Sequence, residues 1–339
     1  MAKSSSKAEK TTGLPQEERN QLLAIISDGD LEFFKDQDEV LARADDTDRY
    51  MIMNRAVGHG DLAILNYLVN ERQWPLQNPA DQDKGSVLMD ALTSESTETY
   101  LWAVDAYIRA GDPSICANST DLAQELLRHA TNIRDVGGIS RDEMESFKTM
   151  MSESVRLYEG IGKKSGKTDW ANEEIHRFYR EVIASAALAV APEFIDAVLD
   201  LEARRDPGAN MIKNIDGYIK EVRETTDMLQ YMDDETAQAT RESAVAILQR
   251  KKVKLLLAQP KSDENTQELI TCLEHIHKHG VKPNGVEGSN TNLFRVLKLS
   301  NDEKSALLPV LIKLKETSPR YLKELADYAF SSERPGRVV

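Results

Sequence analysis

The sequence predicts an all-α fold, a solenoid of short helix pairs with one nonstandard helical hairpin inserted. The tripeptide Gly-Asp-Leu occurs at Gly29–Leu31 and again at Gly60–Leu62, each time between two short apolar segments of helical spacing. Ala24, Ala56 and Ala91 recur 32 and 35 residues apart, and a small side chain there lets neighbouring helices approach closely. A helix pair cannot bury its apolar stripe alone. Such units therefore stack on copies of themselves and present a surface rather than a catalytic pocket.

The first unit runs from Gln16 to about Thr47. Asn20–Ile26 supplies a short helix, Asp28-Gly29-Asp30 the turn, and Leu31–Phe34 the start of the second helix. The second unit repeats this plan over Met53–Val69, turning at Gly60. The third opens with Asp83-Lys84-Gly85-Ser86-Val87-Leu88-Met89-Asp90-Ala91, and its outer helix ends at Gly111-Asp112-Pro113. Glycine there caps the helix in a left-handed conformation, and Asp-Pro turns the chain.

Beyond the third unit the pattern loosens. Asp121–Ile133 and Ser140–Tyr158 read as helices on either side of Gly137-Gly138; Ser140 with Glu143 three residues on forms a capping box. Gly160–Lys167, rich in Gly, Lys and Ser, reads as a flexible linker between domains. Asp169 is expected to cap a helix through Ala191, and Pro192 starts another through Leu199. Asn210–Met232 and Asp234–Ala258 form the longer hairpin. Gln267–His279 is an outer helix, Asp302–Leu314 the last one, and Pro319–Phe330 a closing helix with a polar outer face.

These segments resemble ankyrin repeats. Ser86 stands at the usual Thr and Leu88 at the usual Leu of the repeat opening, whereas Val87 replaces its proline and Met89 its histidine. His279-Gly280-Val281-Lys282-Pro283-Asn284 resembles the end of an ankyrin outer helix, and Thr291-Asn292-Leu293-Phe294-Arg295-Val296 occupies the next opening. The resemblance, to degenerate repeats, covers roughly half of the chain. The organisation expected is a disordered leader over 1–15, ankyrin-like repeats over 16–160, a helical domain with further ankyrin-like repeats over 167–332 and a tail over 333–339.

The resemblance implies a recognition scaffold without cofactor, binding another protein through its concave face. Placed on the ankyrin pattern, Arg55 and Asp90 face that surface from the first helices of adjacent repeats, and Trp74 falls in the hairpin forming its rim. Tyr100 and Trp102 fall at positions usually polar and outward, where exposed aromatics would serve as contacts. Degenerate repeats, a helical insert and a Ser/Lys leader also resemble injected bacterial effectors, which places the chain in the cytoplasm or, after secretion, in a host cell. The competing expectation is a targeting module in front of a helical C-terminal domain with enzymatic or lipid-binding activity.

Charge narrows the partner. The chain of 339 residues carries a formal charge of −14. Residues 1–150 hold 15 Lys and Arg against 27 Asp and Glu, so most of that charge lies in the front half. Nucleic-acid binding needs a basic field and is not expected; a protein with a basic surface is. Cys116 and Cys272 lie far apart in sequence, which argues against a disulfide framework. No apolar run is long enough to span a bilayer.

No residue constellation points to catalysis. Gly160–Thr168 resembles a phosphate loop only loosely, because Ile161 stands where the first glycine is required and a helix rather than a strand precedes it. Cys272, His275 and His279 share one helix face at i, i+3 and i+7, with His277 nearby. Zinc is geometrically conceivable there. The expectation is nevertheless no metal, since Cys272 falls at an apolar position and histidines suit a helix C-terminus. His176 is expected to be structural, and Arg250-Lys251-Lys252-Val253-Lys254 a solvated helix face.

Overall fold

The computed structural model describes residues 13–77, 87–94, 96–134, 140–189, 192–208, 210–224, 232–279 and 299–317. Among these residues the regular structure is helical: fifteen α-helices, one π-helical turn and one 3-10 turn, with no strand. None of these helices is long and apolar enough to cross a membrane. Residues 1–12, the start of the third unit at 83–86, Gly137-Gly138, Thr291–Val296, Pro319–Phe330 and the tail at 333–339 lie outside the described residues. The chain divides into two compact units between Glu181 and Val182.

In the first unit the helices come in pairs: α1 (Gln16–Asp28) with α2 (Leu31–Lys35) and the short α3 (Asp38–Leu41), then α4 (Asp46–His59) with α5 (Leu62–Asn66). Next come α6 (Val87–Thr93) with α7 (Thr97–Ala110), then α8 (Ser119–Arg134) with α9 (Arg141–Ser165); α10 (Thr168–Leu188) follows. The first helices form a row in which α1 packs on α4, α4 on α6 and α6 on α8. On the second-helix side, α2 packs on α5 and α7 on α9.

The Gly-Asp turns work as the sequence suggests. Gly29 and Gly60 each end a helix at φ 68°, a conformation that costs glycine little, and Asp30 and Asp61 cap the following helix by accepting its first free backbone N–H groups. Gly111 and Asp112 repeat the arrangement before the 3-10 turn Pro113–Ile115. The Ser140–Glu143 capping box forms.

Three sequence expectations are corrected here. Residues 160–165 are not a linker: they complete α9. A Cβ on Gly160 would lie 2.8 Å from the Ile108 side chain, and one on Gly162 only 2.5 Å from Ala171 Cβ, so these glycines admit close helix packing. The two compact units divide within α10, and because that helix begins at Thr168, Asp169 lies in its first turn rather than before it. Ala24 does not match Ala56. Measured from the capping glycines, the residue equivalent to Ala56 is Ile25, and Ala24 is exposed where Ala56 is fully buried. One residue turns a helix by about 100°, enough to move a side chain from core to solvent.

The second unit contains the end of α10 with α11 (Pro192–Arg205), α12 (Met211–Glu224), α13 (Asp234–Leu257), α14 (Asp263–His279) and α15 (Asn301–Thr317). Helix α13 is central: α12, α14 and α15 all pack against it. Val253, Leu256, Leu269, Leu273, Ile276, Leu307 and Leu311 form its core with α14 and α15. The basic run 250–254 is accordingly not a solvated face. Lys252 is buried between the carboxylates of Asp216 and Glu268, and Lys251 pairs with Asp196.

Candidate functional site

The first helices α4, α6 and α8 share one burial pattern: two buried residues, two facing outward, two buried. It reads Ile52-Met53, Asn54-Arg55, Ala56-Val57 in α4; Val87-Leu88, Met89-Asp90, Ala91-Leu92 in α6; and Leu122-Ala123, Gln124-Glu125, Leu126-Leu127 in α8. The outward pairs recur every 35 residues. In α1 the counterpart is Leu23-Ala24, 31 residues before Asn54-Arg55, the same interval that separates Gly29 from Gly60. Because the four helices pack side by side, these pairs make one stripe. Its outward residues run from Ala24 through Arg55 to Asp90 and Glu125, and so turn acidic toward α8.

Between α1 and α4 the stripe deepens into an open groove of about 600 Å³, lined by Leu23, Ala24, Tyr50, Met51, Asn54 and Arg55. Met51 is 39% exposed at the edge of this groove. The Arg55 guanidinium donates to Ser27 Oγ at 2.8 Å, and Tyr50 Oη–H donates to Asp90 Oδ2 at 2.9 Å. Polar side chains are thus held in place across the helix boundaries. An oriented charge loses less side-chain entropy on meeting a partner than a free one does.

The structure places Arg55 and Asp90 on this one face. It does not bring Trp74, Tyr100 and Trp102 to it. Trp74 is buried, with the Arg49 guanidinium 5.9 Å above its ring. Tyr100 is fully buried and hydrogen-bonded to Ser154 Oγ of α9 at 2.7 Å. Trp102 is 8% exposed and donates from Nε1 to Asn66 Oδ1 of α5 at 3.0 Å. The expectation that Tyr100 and Trp102 point outward is corrected, because α9 meets α7 at Tyr100 and α5 meets it at Trp102. Leu23, Tyr50, Met51 and Asn54 went unnoticed in the sequence. The signal that reveals Leu23, Met51 and Asn54 is the i, i+3, i+4 spacing of 20, 23, 24 and 51, 54, 55, offset by the glycine interval; it does not reach Tyr50.

The histidines of unit 2 lie elsewhere. Cys272 is buried in the α13–α14–α15 core, and burial pushes its thiol pKa up to about 12. His275 and His279 stack one turn apart with ring centroids 4.7 Å from each other. Both face Glu242 of α13 rather than Cys272. Burial, His279 and Arg223 lower the proton affinity of His275 despite the nearby Glu242 carboxylate, which favours a neutral ring. His176 is exposed on α10, and both cysteines are free thiols.

Comparison of the chain with family models, with curated proteins and with solved structures finds no match.

Proposed function

We propose that unit 1 is an ankyrin-like recognition module that docks a basic protein segment along its first-helix stripe. The observation that carries this reading is the 35-residue recurrence of outward pairs, Asn54-Arg55, Met89-Asp90 and Gln124-Glu125, on a row of packed helices. A repeated surface with a groove that exposes Leu23 and Met51 among polar residues at one end, and Asp90 and Glu125 at the other, suits an extended partner: an apolar anchor against Met51 and cationic side chains opposite Asp90 and Glu125. Charge complementarity of this kind sets partner choice and association rate more than raw affinity.

The test is capture by the full chain, compared with the double variant Asp90→Lys/Glu125→Lys and with Glu32→Lys on α2. Proteins held by wild type and by Glu32→Lys, but lost or weakened at least roughly tenfold by the double change, support the stripe; tenfold corresponds to about 1.4 kcal/mol. Identical captured sets from all three proteins sink it. Circular dichroism checks that each variant is folded.

A further inference from the structure

The cluster on α13 and α14 is independent of the stripe. Glu242, His275 and His279 offer one carboxylate oxygen and two imidazole nitrogens, all within 4.8 Å of one another. His275 Nε2 lies 3.4 Å from Glu242 Oε2. Two donors bound tetrahedrally to zinc, each at about 2.0–2.2 Å, stand about 3.4 Å apart. The pair already has that separation. The two histidines are spaced i, i+4, one above the other on a single helix face, the spacing that lets one helix offer two imidazoles to one ion.

The surroundings hold this geometry. His275 Nε2 also sits 3.2 Å from the Glu242 backbone oxygen, and since a carbonyl can only accept, Nε2 carries the proton. Ser243, next to Glu242, donates from Oγ to the His279 carbonyl at 3.3 Å, fastening the end of α14 to α13. The side chains of His275 and Glu242 are 14% and 19% exposed, so the cluster is sheltered yet reachable from solvent.

We propose that Glu242, His275 and His279 bind a single divalent transition-metal ion, zinc by the donor set, with one coordination position left to water. Two nitrogens and one oxygen suit zinc better than the hard cations magnesium and calcium, which prefer all-oxygen shells. The ion takes the place of the Nε2 proton, the neutral ring carrying its proton on Nδ1 instead, and it joins α13 to α14 through metal bonds instead of a hydrogen bond. Cys272 contributes nothing to the shell: its thiol points into the core.

The experiment uses the full chain without an affinity tag, stripped with chelator and dialysed against zinc chloride, with bound metal measured by mass spectrometry. One zinc per chain is expected, with a rise in melting temperature that grows with free zinc. Glu242→Gln and His279→Gln should each weaken zinc at least roughly tenfold while the stripped variants melt like stripped wild type. No zinc uptake, or uptake unchanged in both variants, overturns the site. Should His279→Gln fail to fold, cobalt(II) substitution of wild type decides. A four-coordinate visible spectrum without thiolate charge transfer supports this donor set, and a six-coordinate or thiolate spectrum overturns it.

Discussion

In unit 1, helices α1, α4, α7 and α9 each end at a glycine with φ between 68° and 71°, and the first three glycines are followed by an aspartate that caps the next helical turn. In unit 2 no described glycine has positive φ. Helix α13 ends at Ala258 in right-handed conformation, and its contacts with neighbouring helices include buried charge, with Lys252 between Asp216 and Glu268. The contrast separates two kinds of information. A turn capped by its own glycine and aspartate is specified within four residues. A charged residue accepted in a core depends on partners tens of residues away.

Unit 1 also uses long-range polar locks, and breaking the one at Asp48 should have the largest effect. Asp48 is fully buried; it accepts from the Leu14 N–H at 2.5 Å and pairs with Arg19 at 2.6 Å, tying the start of α1 to α4. Asp48→Ala leaves those donors stranded and should destabilise the chain by about 3–5 kcal/mol in urea denaturation. A loss under 1 kcal/mol, on the scale of an exposed pair, would mean that the lock is dispensable.

Lys252→Met should cost less, about 1.5–3 kcal/mol, because the carboxylates of Asp216 and Glu268 are partly exposed and can rehydrate. Burial works against the Lys252 charge, but the two carboxylates outweigh it and hold its pKa above the ordinary lysine value. Its contribution is therefore fully present below the ordinary lysine pKa and disappears only as pH rises through the raised one. The difference in stability between wild type and Lys252→Met should stay flat from neutral pH into the mildly alkaline range and shrink beyond it. A difference that already shrinks between pH 6 and 8 would rule out this origin.

Gly60→Ala tests the local code. Alanine at φ 68° costs about 1–2 kcal/mol, with the Thr99 hydroxyl 3.3 Å from the added Cβ. The same substitution at Gly217, inside α12 with no atom within 4 Å, should instead stabilise slightly. The smallest effect is expected from Ala24→Leu, within about 0.5 kcal/mol as for other exposed positions, whereas Ala56→Leu must force apart a filled core. Equal costs at the two alanines would restore the 32-residue register that the structure replaces with 31.

Much of unit 1 was legible because its signals are local. Gly29, Gly60 and Gly111, the aspartates after them, and the Ser140–Glu143 box each act through backbone groups of their immediate neighbours, so their spacing alone marks the helix ends. The resemblance to the repeat pattern places Arg55 and Asp90 on adjacent first helices, and burial puts both on the outward side. The burial of Tyr100 and Trp102 was not legible, because it depends on α9 and α5 arriving over α7 from 36 to 54 residues away. Glycines 160 and 162 have one composition but two readings, flexible linker or close contact, and only the presence of Ile108 and Ala171 selects the second.

The sequence by itself determined that this chain is helical and where its first helices turn, since capping and periodicity act over one or two turns. The tertiary structure alone decided which aromatics are core, that Lys252 is buried between two acids, and that His275 and His279 meet Glu242 instead of Cys272. Those outcomes follow from the rotation of one helix against another, and a shift of about 100° per residue changes which side chains meet without leaving a mark in the local sequence.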